Sequence, residues 1–550
     1  MNFYTIGIES ALALTGLVLL LVDLVIPPER RRLLGYAAAA VVGVMFLYSL
    51  SGRYAPVEPV EAFGGSAVLD GLAVFFKRFF LLAAALVLLV SVEFSGKLKA
   101  GAAEFYALTL FALVGMLFAA SANNFAMLFV AIELITVTFY VLTSYQRNRL
   151  ASLEAGVKYL IIGAVSSAVM VYGIALVFGA AGSMQFAGIA RQGPGLAQSR
   201  LFPLGVLFVI CGLAVKGSGF PLPVWAPDVY EGSPAPATAF LAVGSKAAGV
   251  VLLVRLLGQV APDLALKWEK LLLLLGCVSI LFGALCAIPQ RSLKRLMGYS
   301  SIVNGGFLFL GLAAMSQAGS AAVLFYLAAY LFTVLAAFAV VAVVIQAAGD
   351  DDLASVAGLA QRAPLAGVAL TLAMVSLAGV PPLAGFMGKF FLLKALVEQG
   401  ASFTAYWWAV GIAVLGALIG FYYYFGVIRA VWWPREATAQ AVLPLSPVAT
   451  ATLVLCVAGI LALGIYPAPV WDAARAAVGL LRVGGPGAGP APSAKPVLRP
   501  RIGRVRVAAH FPVAGEVALE EDDLTDPLRA LPGVAFRHDD ARGAAVLPGQ

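Results

Sequence analysis

The sequence predicts an all-α polytopic membrane protein. It has about fourteen transmembrane helices, with two inverted five-helix repeats and broken helices seven and twelve. Three observations predict this. The 550 residues are 62% hydrophobic and only 12% charged, against about 45–50% apolar and about 25% charged in soluble globular chains, and mean hydropathy is +0.96. Apolar runs near the roughly 20 residues that a bilayer requires recur along the chain. Two of these runs, five apart in order, are interrupted by glycine and proline beside a lysine.

The candidate spans are residues 5–26, 33–51, 72–92, 103–121, 124–145, 155–179, 203–221, 236–257, 270–288, 295–314, 319–347, 366–398, 405–429 and 446–466. No basic residue precedes the first run and Arg30, Arg31 and Arg32 follow it, so it reads as a retained helix, not a cleaved signal peptide. Alternate connections differ in charge: thirteen Lys and Arg fall on one side, and seven on the other when Lys77 and Arg78 are included. The richer side is expected in the cytoplasm and both termini on the opposite side. Trp407, Trp408, Trp432, Trp433 and Trp471 lie at segment ends, where an aromatic belt is expected.

The net charge of +8 sits mostly in short connections. That is membrane orientation and not a nucleic-acid-binding face, so nucleic-acid binding is excluded. The four cysteines are singletons in apolar runs and read as small buried hydrophobes. Both histidines fall in the C-terminal tail, so the membrane part offers no haem ligand, iron–sulfur spacing or nucleotide fingerprint. Redox chemistry is not expected in this chain.

The seventh run breaks at KGSGFPLP after Lys216, and the twelfth at LAGVPPLAGFMGKF before Lys389. Paired interruptions at corresponding positions mark internal repeats with sites at the breaks, and an odd offset of five inverts one unit relative to the other. The expected organisation is 1–101 (helices one to three), 102–258 (first repeat), 259–430 (second repeat), 431–484 (last helix and an amphipathic stretch) and 485–550 (polar, disordered tail). The amphipathic stretch, APVWDAARAAVGLLRV, is expected along the membrane surface.

An ionisable group near the bilayer centre costs on the order of 2.5–3.5 kcal/mol on insertion scales, so each is a functional candidate. Glu133, Lys216, Lys246 and Lys389 are the principal ones, with Lys394 weaker because it lies further from the break. Glu154 and Lys158, four apart, share a helix face and can pair; they are either an interfacial ion pair or part of the site. Arg255, near the end of its run, is expected to snorkel to the interface. A buried lysine exchanges its proton readily and a nearby carboxylate opposes that. Lysines, a glutamate and water in the gaps of broken helices therefore make a proton relay without histidine.

At these residues the chain resembles a known family. The run LAVKGSGFPLPVWAPDVYEGSPAPATAFLAVGSKAAG is similar to the signature of subunit N of NADH-quinone oxidoreductase, an antiporter-like membrane subunit of respiratory complex I. FVAIELITVTFYVL, AGVKYLIIGAVSSAVMVYGIAL, RSLKRLMGYSSI, FYLAAYLFTVLAAFAV and GVPPLAGFMGKF support it over most of residues 70–430, and PDVYEG separates N from its sister subunits. The resemblance implies a proton channel driven by quinone reduction elsewhere in the complex, with Glu133, Lys216, Lys246 and Lys389 as its titrating residues. It implies NADH, FMN, iron–sulfur clusters and quinone in other subunits and none here. It also implies neighbouring antiporter-like, small membrane and peripheral subunits as partners, in a bacterial inner membrane. Family members often carry histidine in the tenth helix where this chain reads SSIVNGG, with Asn304. An amide cannot take up and pass a proton as imidazole does, so water or a path around Asn304 must serve there. The competing functions are a cation/proton antiporter of the same fold and a passive membrane scaffold.

Overall fold

The computed structural model describes residues 3–52, 54–56, 58–97, 101–260, 265–400, 403–434 and 442–479. The linker and tail expected from residue 484 onward lie outside the described residues. The rest is helical, with one two-stranded hairpin. Among the described residues eleven helices are long and apolar enough to cross a membrane, and two shorter apolar helices, Leu201–Lys216 and Pro364–Ala378, end at the expected breaks. A helix satisfies its own backbone polar groups, which is why this class of chain is built from little else in lipid.

Burial separates an inner set of helices from an outer one. The most apolar windows of Ala235–Val260, Leu293–Ala313 and Gln317–Ala348 are 100%, 94% and 89% buried, whereas those of Arg31–Leu50 and Ala405–Trp432 are each 33% buried. The inner helices carry Lys246, Asn304, Tyr326 and Tyr330; the outer ones present valine, leucine and tryptophan outward. Close helix crossings rest on small residues. A Cβ on Gly173 would meet Gly205 O at 2.7 Å, and one on Gly306 would meet Gly276 O at 2.7 Å. These contacts hold Leu150–Ala181 against Leu201–Lys216 and Ala265–Ala287 against Leu293–Ala313.

Helix starts follow their caps. Asp70, Asn124, Ser292, Ser316 and Ser446 each accept a backbone N–H three residues on, at 2.7–3.1 Å. Between residues 51 and 71, where only a connection was expected, Val60–Ala62 pairs antiparallel with Ala67–Leu69. Gly64 and Gly65 turn the hairpin at φ +64° and +82°, where a side chain would strain the backbone. The hairpin docks through Asn123, whose Nδ2 donates to Gly65 O at 3.0 Å, and Asn124, whose Nδ2 donates to Ser66 Oγ at 2.8 Å.

Two expectations are corrected. The 236–257 run is not a plain α-helix: π-helical turns at Leu241–Ser245 and Leu256–Val260 flank the α-helix Lys246–Arg255. Such turns are not legible in hydropathy. Arg255 does not snorkel. It is fully buried, pairs with Asp70 at 3.0 and 2.8 Å and donates twice to Ala120 O at 3.0 and 2.7 Å, because a counter-ion at a helix start lies within reach. The amphipathic helix Ala468–Val478 packs its apolar side on protein. Trp471 stacks on Phe391 with centroids 4.2 Å apart, and Ala477 Cα lies 3.3 Å from where a Cβ on Gly71 would stand.

Candidate functional site

The helix Leu201–Lys216 stops at its lysine, and the loop that follows contains Ser218 at φ +62° and a cis Phe220–Pro221 bond before Trp225–Gly232 begins. The broken backbone is not left bare. Gly219 N donates to Ala214 O at 3.0 Å, Phe220 N to Ser279 Oγ at 3.0 Å, and Trp225 Nε1 to Val215 O at 3.2 Å. Ser218 is a buried serine in the left-handed region, a conformation costing about 1–3 kcal/mol that persists where surroundings over-determine it.

Lys216 is buried, and its Nζ donates to Thr136 Oγ1 at 2.9 Å. Thr136 lies three residues after Glu133 on Phe125–Thr143, so the two share a face. Glu133 is half-buried and accepts a hydrogen bond from Ser167 Oγ. Among the described residues no ion pair joins Glu133 to Lys216. The structure thus gives Lys216 a threonine partner on the helix of Glu133, which the sequence reading missed.

Lys246 follows the first π-turn. Its Nζ donates to Ser301 O at 2.5 Å and Ser301 Oγ at 2.6 Å and stands 5.2 Å from the Tyr330 ring centroid. Ser301 Oγ is also 2.9 Å from Tyr230 OH. Lys216 and Lys246 belong to one cluster: a Cβ on Gly249 would be 3.4 Å from Lys216 Cβ, and one on Gly305 would be 2.8 Å from Gly217 O and 3.8 Å from Lys246 Nζ.

On the far side of Leu293–Ala313, Lys389 is buried near the start of Ala384–Gln399. Its Nζ donates to Leu377 O at 2.6 Å and reaches Ala378 O at 3.4 Å, the last carbonyls of Pro364–Ala378. A cation there complements the helix C-terminus. Phe307 supplies a ring at 4.9 Å. Asn304 lies between, fully buried: Oδ1 accepts from Tyr326 OH at 2.6 Å and Nδ2 donates to Ser300 Oγ at 3.3 Å. Ser300 Oγ in turn pairs with Tyr424 OH at 2.5 Å. None of these hydroxyls carries a sequence signal beyond its residue type.

Glu154 and Lys158 pair as expected, at 2.7 Å, but they are largely exposed and belong to a separate surface network. Lys158 also bridges Asp228 at 2.6 Å, and Arg295 bridges Asp228 at 2.6 Å and Glu231 at 2.8 Å. The acids of PDVYEG therefore tie Leu150–Ala181 to Leu293–Ala313. Burial pushes the Asp228 carboxyl up, and the Lys158 hydrogen bond with the Arg295 charge overcomes it, leaving the group below the usual carboxylate range. A cavity of about 200 Å³ opens among these residues. The buried Lys294 donates to Glu231 O at 2.5 Å and Ser233 O at 3.0 Å. Lys394 is exposed and stands 3.8 Å from Glu398, away from the buried row. Among the described residues no group of three or more His, Cys, Asp or Glu could hold a metal ion.

The profile of the family described as "NADH:quinone oxidoreductase/Mrp antiporter, TM" matches residues 122–420. NADH-quinone oxidoreductase subunit N of Desulforamulus reducens is 37% identical over 86% of this chain and 98% of its own length. The chain belongs to this family. Subunit N of Rhodospirillum rubrum is 38% identical over 85% of this chain and 95% of its own length. A chain of respiratory complex I from Thermus thermophilus superposes with a TM-score of 0.71 at 32% identity, covering 85% of this chain and 99% of that one. A chain of the Mrp complex from Dietzia superposes at 0.75 with 18% identity, a likeness of fold alone.

Proposed function

We propose that this chain is the antiporter-like, proton-translocating subunit N of an NADH-quinone oxidoreductase, and that Glu133, Lys216, Lys246 and Lys389 with water form its proton relay. One observation carries the relay. Lys216, Lys246 and Lys389 are buried, hydrogen-bonded and, among the described residues, in no ion pair. A structural buried charge is normally neutralised by a counter-ion, as Arg255 is by Asp70. An ammonium held by hydroxyls and carbonyls alone is instead poised to release and regain a proton as water enters or leaves. Each of the three sits at a helix break or π-turn, where irregular backbone admits water.

On this reading the chain has fourteen spans. Residues 102–258 and 259–430 form two inverted units, each contributing one broken helix, and both termini face away from the cytoplasm of a bacterium. Redox cofactors belong to partner subunits, and quinone reduction there drives the relay. Stand-alone cation exchange is the weaker reading, because relatives named subunit N match at 35–38% identity over most of the chain.

The test is Lys216→Ala in the assembled complex, in sealed membrane vesicles. NADH-driven proton uptake should lose most of its amplitude at unchanged chain content. Full retention would overturn the assigned role. Proton exchange driven by an added cation without NADH or quinone would instead support an antiporter.

A further inference from the structure

Asn304 lies between Lys246 and Lys389, and a carboxamide has no proton to lose and no basic nitrogen to gain one. The amide is also fixed. Its oxygen is taken by Tyr326 OH at 2.6 Å and its nitrogen faces Ser300 Oγ at 3.3 Å. Tyr326, whose hydroxyl meets the amide oxygen, stands between the two lysines' aromatic partners. Tyr326 stacks on Tyr330, the ring under Lys246, with centroids 6.4 Å apart, and packs on Phe307, the ring under Lys389, at 6.5 Å. Its other neighbour is Gly388, directly before Lys389. A Cβ there would meet Tyr326 Cδ2 at 2.5 Å, so glycine lets the phenol lie against the lysine's helix.

We propose that the Tyr326 hydroxyl is the switchable proton carrier between Lys246 and Lys389, with Asn304 as the latch that holds it off at rest. This rests on the relay reading above. At rest the phenolic hydrogen points at Asn304 Oδ1, an acceptor that cannot pass it on. When water reaches the ring, the hydroxyl rotates away from the amide. The phenol oxygen takes a proton that the Lys246 ammonium passes through water, while its own hydrogen leaves through water to the neutral Lys389 amine. One O–H bond forms, one breaks, and the phenol stays neutral throughout. Rotation about the C–O bond then returns the hydrogen to Asn304. A tyrosine–amide pair thereby replaces a titrating ring with a conducting group that is off by default.

The test uses the whole complex in sealed vesicles, with chain content checked for every variant. Tyr326→Phe keeps the ring and its packing and removes only the hydroxyl; it should lower protons taken up per NADH several-fold. Tyr424→Phe, on the amide's other side, should leave the ratio near that of the native complex. Asn304→Leu should keep pumping but raise the passive proton leak without NADH. Tyr326→Phe with Asn304→His should recover uptake, since the imidazole supplies the missing carrier. Native uptake in Tyr326→Phe, or an equal loss in Tyr424→Phe, would overturn the proposal. Lys389→Ala separates the two levels of inference. If it too pumps normally, the relay reading itself fails; if it is impaired while Tyr326→Phe is not, only the carrier role fails.

Discussion

The Arg255–Asp70 pair makes a prediction that does not depend on function. Arg255 is fully buried, and the Asp70 side chain is 10% exposed. Removing one partner of a buried pair costs about 3–5 kcal/mol, because the survivor is left buried and uncompensated. The two removals should nonetheless differ. Asp70→Asn keeps an acceptor for Ala73 N, now 2.8 Å from Asp70 Oδ1, and asparagine caps a helix about as well as aspartate. Its cost is therefore almost entirely the stranded guanidinium, about 3–5 kcal/mol. Arg255→Met strands a carboxylate that a helix N-terminus supports and water partly reaches. It also deprives Ala120 O of its two side-chain donors, for about 1–3 kcal/mol in all. Thermal inactivation of the purified complex should thus rank native, then Arg255→Met, then Asp70→Asn, and the double variant should be more stable than Asp70→Asn alone. Equal single variants, or a double variant worse than both singles, would refute the argument from uncompensated charge.

Further expectations can be checked by similar means. Gly385→Ala should abolish stable accumulation of the chain, since its Cβ would lie 1.9 Å from the backbone oxygen of Ser376, which cannot yield as a side-chain tip can. Lys294→Met should leave Glu231 O and Ser233 O without their donor and cost about 1–3 kcal/mol in thermal stability. Glu154→Ala should shift stability by no more than about 1 kcal/mol, because the Glu154–Lys158 pair is solvent-exposed. The Asp228 carboxyl sits below its ordinary range, so its contribution is complete above about pH 4 and fades as pH falls through its own lowered value. The stability gap between native protein and Asp228→Asn should accordingly narrow in acid; a gap that widens would reverse the sign of the argument.

The candidate lysines were legible in the sequence because a charge in an apolar run has no bland neighbour to hide it. Lys216, Lys246 and Lys389 all lie buried beside helix irregularities. What they touch was not legible. Thr136, Ser301 and Tyr326 are unremarkable in a hydrophobic helix, and only packing decides whether such a hydroxyl meets lysine, serine or amide. Arg255 shows the opposite failure. Its place near a run's end suggested solvent, but the partner, Asp70, is 185 residues away. Glu154 with Lys158 was legible as a pair because four residues is one turn of helix; its extension to Asp228 and Arg295 required the tertiary fold. Helix breaks are local, so proline and glycine announce them. The π-turns around Lys246 have no such spelling.

The links around PDVYEG bear on how such a chain can move. Lys158, Asp228, Arg295 and Glu231 link Leu150–Ala181 to Leu293–Ala313 at one end, and Gly305 packs so close in the middle that a Cβ on it would stand 2.8 Å from the Gly217 carbonyl oxygen. Transporters that carry bulky cargo rock one half of the molecule against the other. Here that motion would have to shear a charged seam and a backbone-to-backbone contact in every cycle. A proton asks for much less room than a solute. The seam favours a rigid frame in which side-chain torsions and transient wetting, not rocking halves, present the cargo first to one side and then to the other.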